Sequence, residues 1–245
     1  MKKVVYFLSS ALVAMFAFTS CGSDDDDSKE NKDKVYNVKS ITYKNSDGDF
    51  DKCTFVYEND KISKVTYTDS DGEMTTLKFT YASASSINVT SDDGSSVVIT
   101  MDVANNVISK YESSSYDDEE SEWHNYSEIF EFEAGKLSSI TSGEEHDFYS
   151  TILGWENNNI TLYDGDEQFI YSDVKNNTNI DFALWLEEES LIYTSQFMKN
   201  ISNNIPSSYK SSYSGVAVIT TTLDEKGRPS KMVFDGDTYT FEYYD

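Results

Sequence analysis

Cysteine, proline, histidine and basic residues are all scarce in this 245-residue chain, and each scarcity closes off a class of protein. Two Cys cannot staple a disulfide-dense scaffold, and two Pro exclude a collagen-like or proline-rich chain. The two histidines, His124 and His146, have no Cys or second His at ligand spacing, so nothing supports a zinc centre or a Ser-His-Asp triad. No glycine-rich phosphate loop or dinucleotide fingerprint occurs, and no cofactor is implied. Nineteen Lys and Arg against 44 Asp and Glu give a formal charge of −25, a surface that repels nucleic acid and anionic headgroups. The hydrophobic share, 38% even with tyrosine counted, falls below the roughly 45–50% of globular chains. That alone would point to disorder, but 14 Phe, 3 Trp and 18 Tyr are what acid-rich disordered chains lack. A folded β-protein with a largely aromatic core accommodates both facts.

The longest apolar run lies at the N-terminus. Met1-Lys2-Lys3 is followed by an apolar stretch from Val4 to Phe18, broken by Ser9 and Ser10, and then by Thr19-Ser20-Cys21-Gly22. The run is short of the roughly 20 residues a membrane span needs, and its flanks are those of a secretory signal. Thr19 to Gly22 resembles the bacterial lipobox. That resemblance implies a signal peptide over 1–20 and Cys21 as the lipidated first mature residue. Several acyl chains on one residue anchor a protein stably where a single chain does not. Loss of Lys2 and Lys3 makes the mature chain two units more negative. Asp24-Asp25-Asp26-Asp27 opens a self-repelling tether over 21–34. Its position after the Cys resembles the export signal that sends lipoproteins of Bacteroidetes-type bacteria to the outer face of the outer membrane. The alternative location is the periplasmic face. The expected partners are therefore the membrane through the lipid, an external glycan or peptide, or an envelope protein.

From Val35 the pattern alternates with period two. Leu77-Lys78-Phe79-Thr80-Tyr81, Phe130-Glu131-Phe132-Glu133 and Tyr239-Thr240-Phe241-Glu242-Tyr243 each set apolar side chains on one face and polar ones on the other. Asp-Gly pairs at 47, 71, 93, 164 and 235 are signals for type I′ hairpin turns. A loose repeat runs through Phe55 to Val65, Phe79 to Val89 and Phe130 to Ile140, and distantly resembles the tyrosine-rich YD-type repeats of bacterial surface and toxin proteins. The expectation is an all-β, antiparallel hairpin meander over 35–245, curved into a barrel-like sheet. Lys64, Lys78, Glu131 and Glu133 belong to its wet outer face, which argues against a lipid-facing band. One stretch breaks the period: apolar positions at 182, 185, 186, 192, 193 and 197 predict a helical insertion over about 182–201. Asp181 is its N-cap, with early glutamates to suit the dipole.

Four segments carry a wider resemblance: Phe55 to Val65, Gly154-Trp155-Glu156-Asn157-Asn158-Asn159-Ile160, Asn176-Asn177-Thr178-Asn179-Ile180-Asp181, and Asn203-Asn204-Ile205-Pro206. They resemble a family of secreted lipoproteins of Bacteroidetes-type bacteria, a domain of unknown function with a porin-like β-fold. The resemblance implies the fold and brings no activity with it.

Sites of chemistry are thinly signalled. Asp117-Asp118-Glu119-Glu120, Glu144-Glu145 and Glu187-Glu188-Glu189 read as solvated acidic surface rather than a hydrolase pair. Asp69-Ser70-Asp71-Gly72-Glu73 resembles half of a calcium loop, but its twelfth position is Thr80 where a Glu is needed. Trp123 and Trp185 are candidate ligand contacts, as stacking platforms, and Trp155 is expected to be structural. The expected function is a non-catalytic binding or accessory protein at the cell surface. A structural envelope protein and, further behind, a carboxylate-dependent hydrolase are the alternatives.

Overall fold

The computed structural model describes residues 35–92, 94–117, 122–144, 147–188, 194–212 and 215–245. Cys21 and Asp24 to Asp27 lie outside the described residues, as does His146. Period-two alternation becomes a chain of hairpins: β1 (Val38–Lys44), β2 (Phe50–Glu58), β3 (Lys61–Asp69), β4 (Met74–Ser83), β5 (Ser86–Ser91), β6 (Ser96–Asp102), β7 (Val107–Asp117) and β8 (Glu122–Glu133). The meander continues through β9 (Lys136–Glu144), β10 (Asp147–Glu156), β11 (Asn159–Tyr163) and β12 (Glu167–Lys175). A short helix, α1 (Phe182–Glu188), precedes β13 (Asn204–Ser211), β14 (Gly215–Val218), β15 (Thr220–Leu223), β16 (Pro229–Phe234) and β17 (Asp237–Tyr243). Every named pairing is antiparallel, and β17 returns to pair with β1, so the sheet is a nearly closed barrel. An interruption lies at Ile219: β14 pairs with β13 and β15 with β16, so the two short strands act as one interrupted strand.

Alternation decides which side is dry. Rows such as Ile41, Cys53 and Tyr67, or Phe55, Val65 and Leu77, run across neighbouring strands on the inner face. The buried members of these rows join one apolar core that fills the barrel. Lys64 and Lys78 face each other across β3 and β4 on the outer wall, and both are exposed, as are Glu131 and Glu133. The outer wall also carries exposed Ile152, Ile170, Val216 and Val218, with Ile170 and Val218 flanking Ser208 in one row.

The turns follow two chemistries. Asp164-Gly165 and Asp235-Gly236 take positive φ at both residues, 44° and 82° in one and 49° and 93° in the other, the backbone a type I′ hairpin turn requires. The Asp-Gly pairs at 47 and 71 do not: only the glycine is left-handed, and the loop is longer. There Asn45 Oδ1 accepts the amides of Asp47, Gly48 and Asp49, and Asp69 Oδ1 accepts those of Asp71 and Glu73. The half calcium loop is thus a side-chain-closed turn whose first carboxylate is already engaged.

Because neighbours are antiparallel, the connections alternate between two ends. At one end lie residue 35, the end of β17, the turns at 59–60, 134–135 and 157–158, and the long connection 176–203. At the other lie the loops 45–49 and 70–73 and the Asp-Gly turns at 164–165 and 235–236. The acidic Asp-Gly turns therefore sit opposite the end that holds residue 35.

The helical expectation over 182–201 is only partly met. α1 covers Phe182–Glu188, and by Thr194 the backbone is bridged antiparallel to Ile180, followed by a turn. The connection must double back to reach β13, which a helix of five turns could not do. Glu187 and Glu188 consequently fall in the last turn, and the first turn holds no acid. The dipole argument for early glutamates fails with the shorter helix.

Candidate functional site: a plugged barrel with a carboxylate–tyrosine cluster

Residues 176–188 and 194–203 of the long connection close the end that holds residue 35 from within. Residues 180 to 186 are buried on every side, the property of a helix enclosed by its protein rather than lying on its surface. Phe182 meets Phe241 of β17 edge to face at 5.2 Å. Around this plug, amide and carboxylate groups tie it to the barrel. Asp181 Oδ1 accepts the amides of Ala183 (3.1 Å) and Leu184 (3.4 Å), confirming it as the N-cap, and Oδ2 accepts the amide of Ser202 at 2.6 Å. Ser202 Oγ in turn accepts the amide of Ile160 and meets the Tyr171 hydroxyl. Asn176 Nδ2 donates to the carbonyls of Ile180 and Ser202, and Asn179 Oδ1 accepts the amide of Val38. Asn159 Oδ1 accepts the amide of Asn204. Three of the Asn-rich segments singled out in the sequence thus converge on one lock.

The plug also reaches the end turns. Gln196 donates to the Asp60 carbonyl, Asn200 to the Gly135 carbonyl, and the Asn203 amide to the Asn158 carbonyl. Asp181 is fully buried, and desolvation raises its pKa against the hydrogen bonds from Ser202, Leu184 and Ala183. The chain's single arginine, Arg228, holds the N-terminal edge: its guanidinium lies 4.6 Å from the Tyr36 ring centroid and 4.7 Å from that of Tyr243, and its Nε donates to Asp224 at 2.7 Å.

Trp185 points away from solvent. It is 4% exposed and lines a cavity of about 20 Å³ with Ile41, Tyr43, Cys53, Tyr67 and Tyr239, among others, room for one water-sized group. Cys53 beside it is a buried thiol, its pKa driven far up by burial, with a hydrogen bond from Tyr67 opposing. Trp123 lies on β8 opposite Tyr116 of β7. Trp185 thus belongs to the plug and Trp123 to the wall strand β8. Trp155 donates its Nε1 to the Leu137 carbonyl at 2.8 Å, with Lys136 over its ring, a packing role.

A second polar cluster lies on the inner wall, running from the middle of β7 and β8 to the far ends of β9 and β10. Register aligns Tyr111 of β7, Glu128 of β8, Ser142 of β9 and Tyr149 of β10 in one row. Glu128 is 7% exposed. Tyr126 Oη donates to Glu128 Oε1 at 3.1 Å. Burial, then the charge of Glu128, raises the pKa of both Tyr111 and Tyr126, so the phenols stay neutral. Beneath lie Phe130 and Ile140, and toward the mouth His124 Nδ1 is 3.8 Å from Glu144 Oε2. Sequence reading passed over this cluster, although the signal was there: alternation puts Glu128 on the same face as Phe130.

No family model matches the chain, and no curated protein does either. Solved structures do. A porin-like protein from Bacteroides uniformis ATCC 8492 superposes with a TM-score of 0.62 over 84% of this chain and 98% of its own, at 15% identity. A porin-like protein from Bacteroides vulgatus ATCC 8482 covers 85% and 99%, at 9% identity and a TM-score of 0.45. The first likeness shows the fold.

The porin-like barrel is here packed with side chains. Its inner face supplies the apolar core and α1 fills one end, whereas a water-filled barrel has a polar interior and an apolar outer band. What the arrangement leaves open to solvent is the mouth opposite residue 35, where Tyr149 is exposed, and the outer wall.

Proposed function

We propose that this porin-like barrel is a lipid-anchored protein of the bacterial outer surface that binds an external ligand, a peptide or glycan, without transforming it. The observation that carries the reading is polarity. The chain enters the barrel beside the plug, at Tyr36 and Asn177, while the acidic Asp-Gly turns lie at the other end, toward which the Glu128 row runs through Ser142 to Tyr149. A tether on Cys21 would leave that end facing outward. The lipobox-like Thr19 to Gly22 and the acidic run Asp24 to Asp27 support the location. The test is protease accessibility on intact cells, comparing wild type with a chain in which Asp24 to Asp27 are Ala. Digestion of the first and protection of the second are expected; protection of both would put the protein on the periplasmic face and sink the export reading.

A second reading, a structural partner of another envelope protein, is favoured by one observation, the exposed Ile152, Ile170, Val216 and Val218 on the outer wall. Co-purification of one envelope protein that Val218→Glu abolishes would select it.

A further inference from the structure

We propose that the first half of β10 is a docking edge for an extended, basic-ended peptide, which adds to the sheet as one more strand. The inference rests on the ligand-binding part of the reading above and gives that ligand a form and a place. β10 changes neighbours along its length: Asp147 to Ile152 pair with β9, whereas Leu153 to Glu156 pair with β11. The β11–β12 hairpin stops level with Ile152, where the Asp164 amide donates to the Ile152 carbonyl at 3.0 Å. Beyond that point, among the described residues, no strand runs along the second side of Asp147 to Thr151. At roughly 3.3 Å per residue the open edge is about 16 Å long.

Alternation fixes the groups this edge offers. The N–H and C=O of a strand residue point to the same side, and successive residues point to opposite sides. Because Ile152 turns its carbonyl away from β9, Phe148 and Ser150 turn their N–H and C=O the same way, into the open slot. Sheet edges are usually blunted by lysine, proline or a bulge. Phe148-Tyr149-Ser150-Thr151 carries no charge and no proline, and the bulge of β10 falls lower, between Gly154 and Trp155. Asp147 to Ser150 are all exposed. Phe148, 47% exposed, and Tyr149, 62% exposed, stand on opposite faces, so an added strand gains an aromatic neighbour on each side of the sheet.

Charge selects the occupant. Glu144 and Asp147 stand at one end of the slot and Asp164, Asp166 and Glu167 at the other, and neither turn carries a lysine or arginine. A second copy docked by the same edge across a two-fold would bring the 144–147 turn of one chain onto the 164–167 turn of the other, acid against acid. A peptide with a basic residue at each end meets attraction at both.

The experiment is calorimetric titration of the purified full chain with three blocked probes: the heptapeptide Lys-Thr-Val-Thr-Val-Thr-Lys, the same peptide N-methylated at every inner residue, and its counterpart with Glu at both ends. Saturable binding of the first is expected. N-methylation, which removes the donors a ladder needs, should weaken it at least about tenfold, the scale of two lost hydrogen bonds. The glutamate peptide should bind several-fold more weakly, with the gap closing on addition of salt. Hydrogen exchange locates the site: the peptide should slow the amides of Phe148 and Ser150, which face the slot, and leave those of Tyr149 and Thr151, which face β9, unchanged. Ser150→Pro blocks the open side without touching the β9 ladder and should weaken binding at least about tenfold. Phe148→Lys, at an exposed position, should weaken it several-fold, with an unchanged melting transition confirming the fold of both variants. No saturable binding of the lysine peptide, equal binding by Ser150→Pro, or protection confined to other strands would overturn the site. A dimer in sedimentation that Ser150→Pro abolishes would replace the peptide by a second copy. Protease protection on cells with intact peptide binding would instead remove the surface location and leave the edge site standing.

Discussion

Asp181→Ala is the sharpest test of the plug. The change deletes two acceptor oxygens that serve three buried amides, those of Ala183, Leu184 and Ser202. Loss of an N-cap costs about 1 kcal/mol, and an orphaned buried amide at Ser202 adds about 1–3 kcal/mol. The total is about 2–4 kcal/mol. With a urea m-value of about 2–3 kcal/mol/M, the midpoint should drop by about 1–2 M. Asp181→Asn keeps one acceptor but turns an amide group toward a donor, so its loss should lie between wild type and Asp181→Ala. Burial raises the Asp181 pKa, so the folded state takes up its proton before the unfolded state does. The contribution of Asp181 is therefore fullest below its unfolded value and declines as pH rises through the raised one, and the gap between wild type and Asp181→Ala should widen on acidification. Hydrogen exchange should show faster exchange confined to 176–204. A midpoint shift under about 0.3 M, or a gap that narrows toward acid, would refute the lock as the plug's anchor.

Other expectations follow from the same packing. In a chain carrying Cys21→Ser, Cys53 should react with thiol reagents only as fast as the barrel opens, because burial keeps its thiol protonated; immediate labelling in native buffer would contradict this. A Cβ on Gly154 would stand 2.8 Å from Leu162 Cβ on the paired strand, so Gly154→Ala should cost about 1–3 kcal/mol and be relieved in combination with Leu162→Ala, measured by denaturant melts. Asp224 is held below the usual carboxylate range because the hydrogen bonds and charge of Arg228 outweigh its desolvation. The stability it lends is present above the unfolded value and lost as pH falls through the lowered one. Asp224→Asn should flatten that part of the acid limb, and an unchanged limb would dismiss the clamp. Arg228→Lys should free the edge at Tyr36, visible as faster amide exchange of Tyr36 and Val38.

Much of the barrel was legible because a half-buried antiparallel strand writes its period directly into the chain. Phe130-Glu131-Phe132-Glu133 and Tyr239 to Tyr243 landed as strands with Glu131 and Glu242 outside. Asp181 was legible as a cap from its place before an apolar run. The length of α1 was not, because the apolar position at 197 keeps helical spacing by chance although Thr194 is bridged to Ile180 and a turn follows it. The Asp-Gly pairs marked turns correctly, but the turn type depended on loop length, which the dipeptide does not encode. Trp185 read as an aromatic available to a ligand; only the enclosing wall shows that it fills the interior.

The sequence by itself determined an all-β chain with a dry face and a wet face, its turns, and an N-terminal segment that reads as an address, because these depend on neighbours two to four residues apart. The tertiary structure decided the rest. Strand pairing brought Asn159, Asn176, Asp181 and Ser202 into one lock, and set Tyr111, Glu128, Ser142 and Tyr149 in one row. It also set the acidic Asp-Gly turns at the end opposite residue 35. Those relations depend on register across strands far apart in the chain and on closure of β17 onto β1, and no local pattern fixes them.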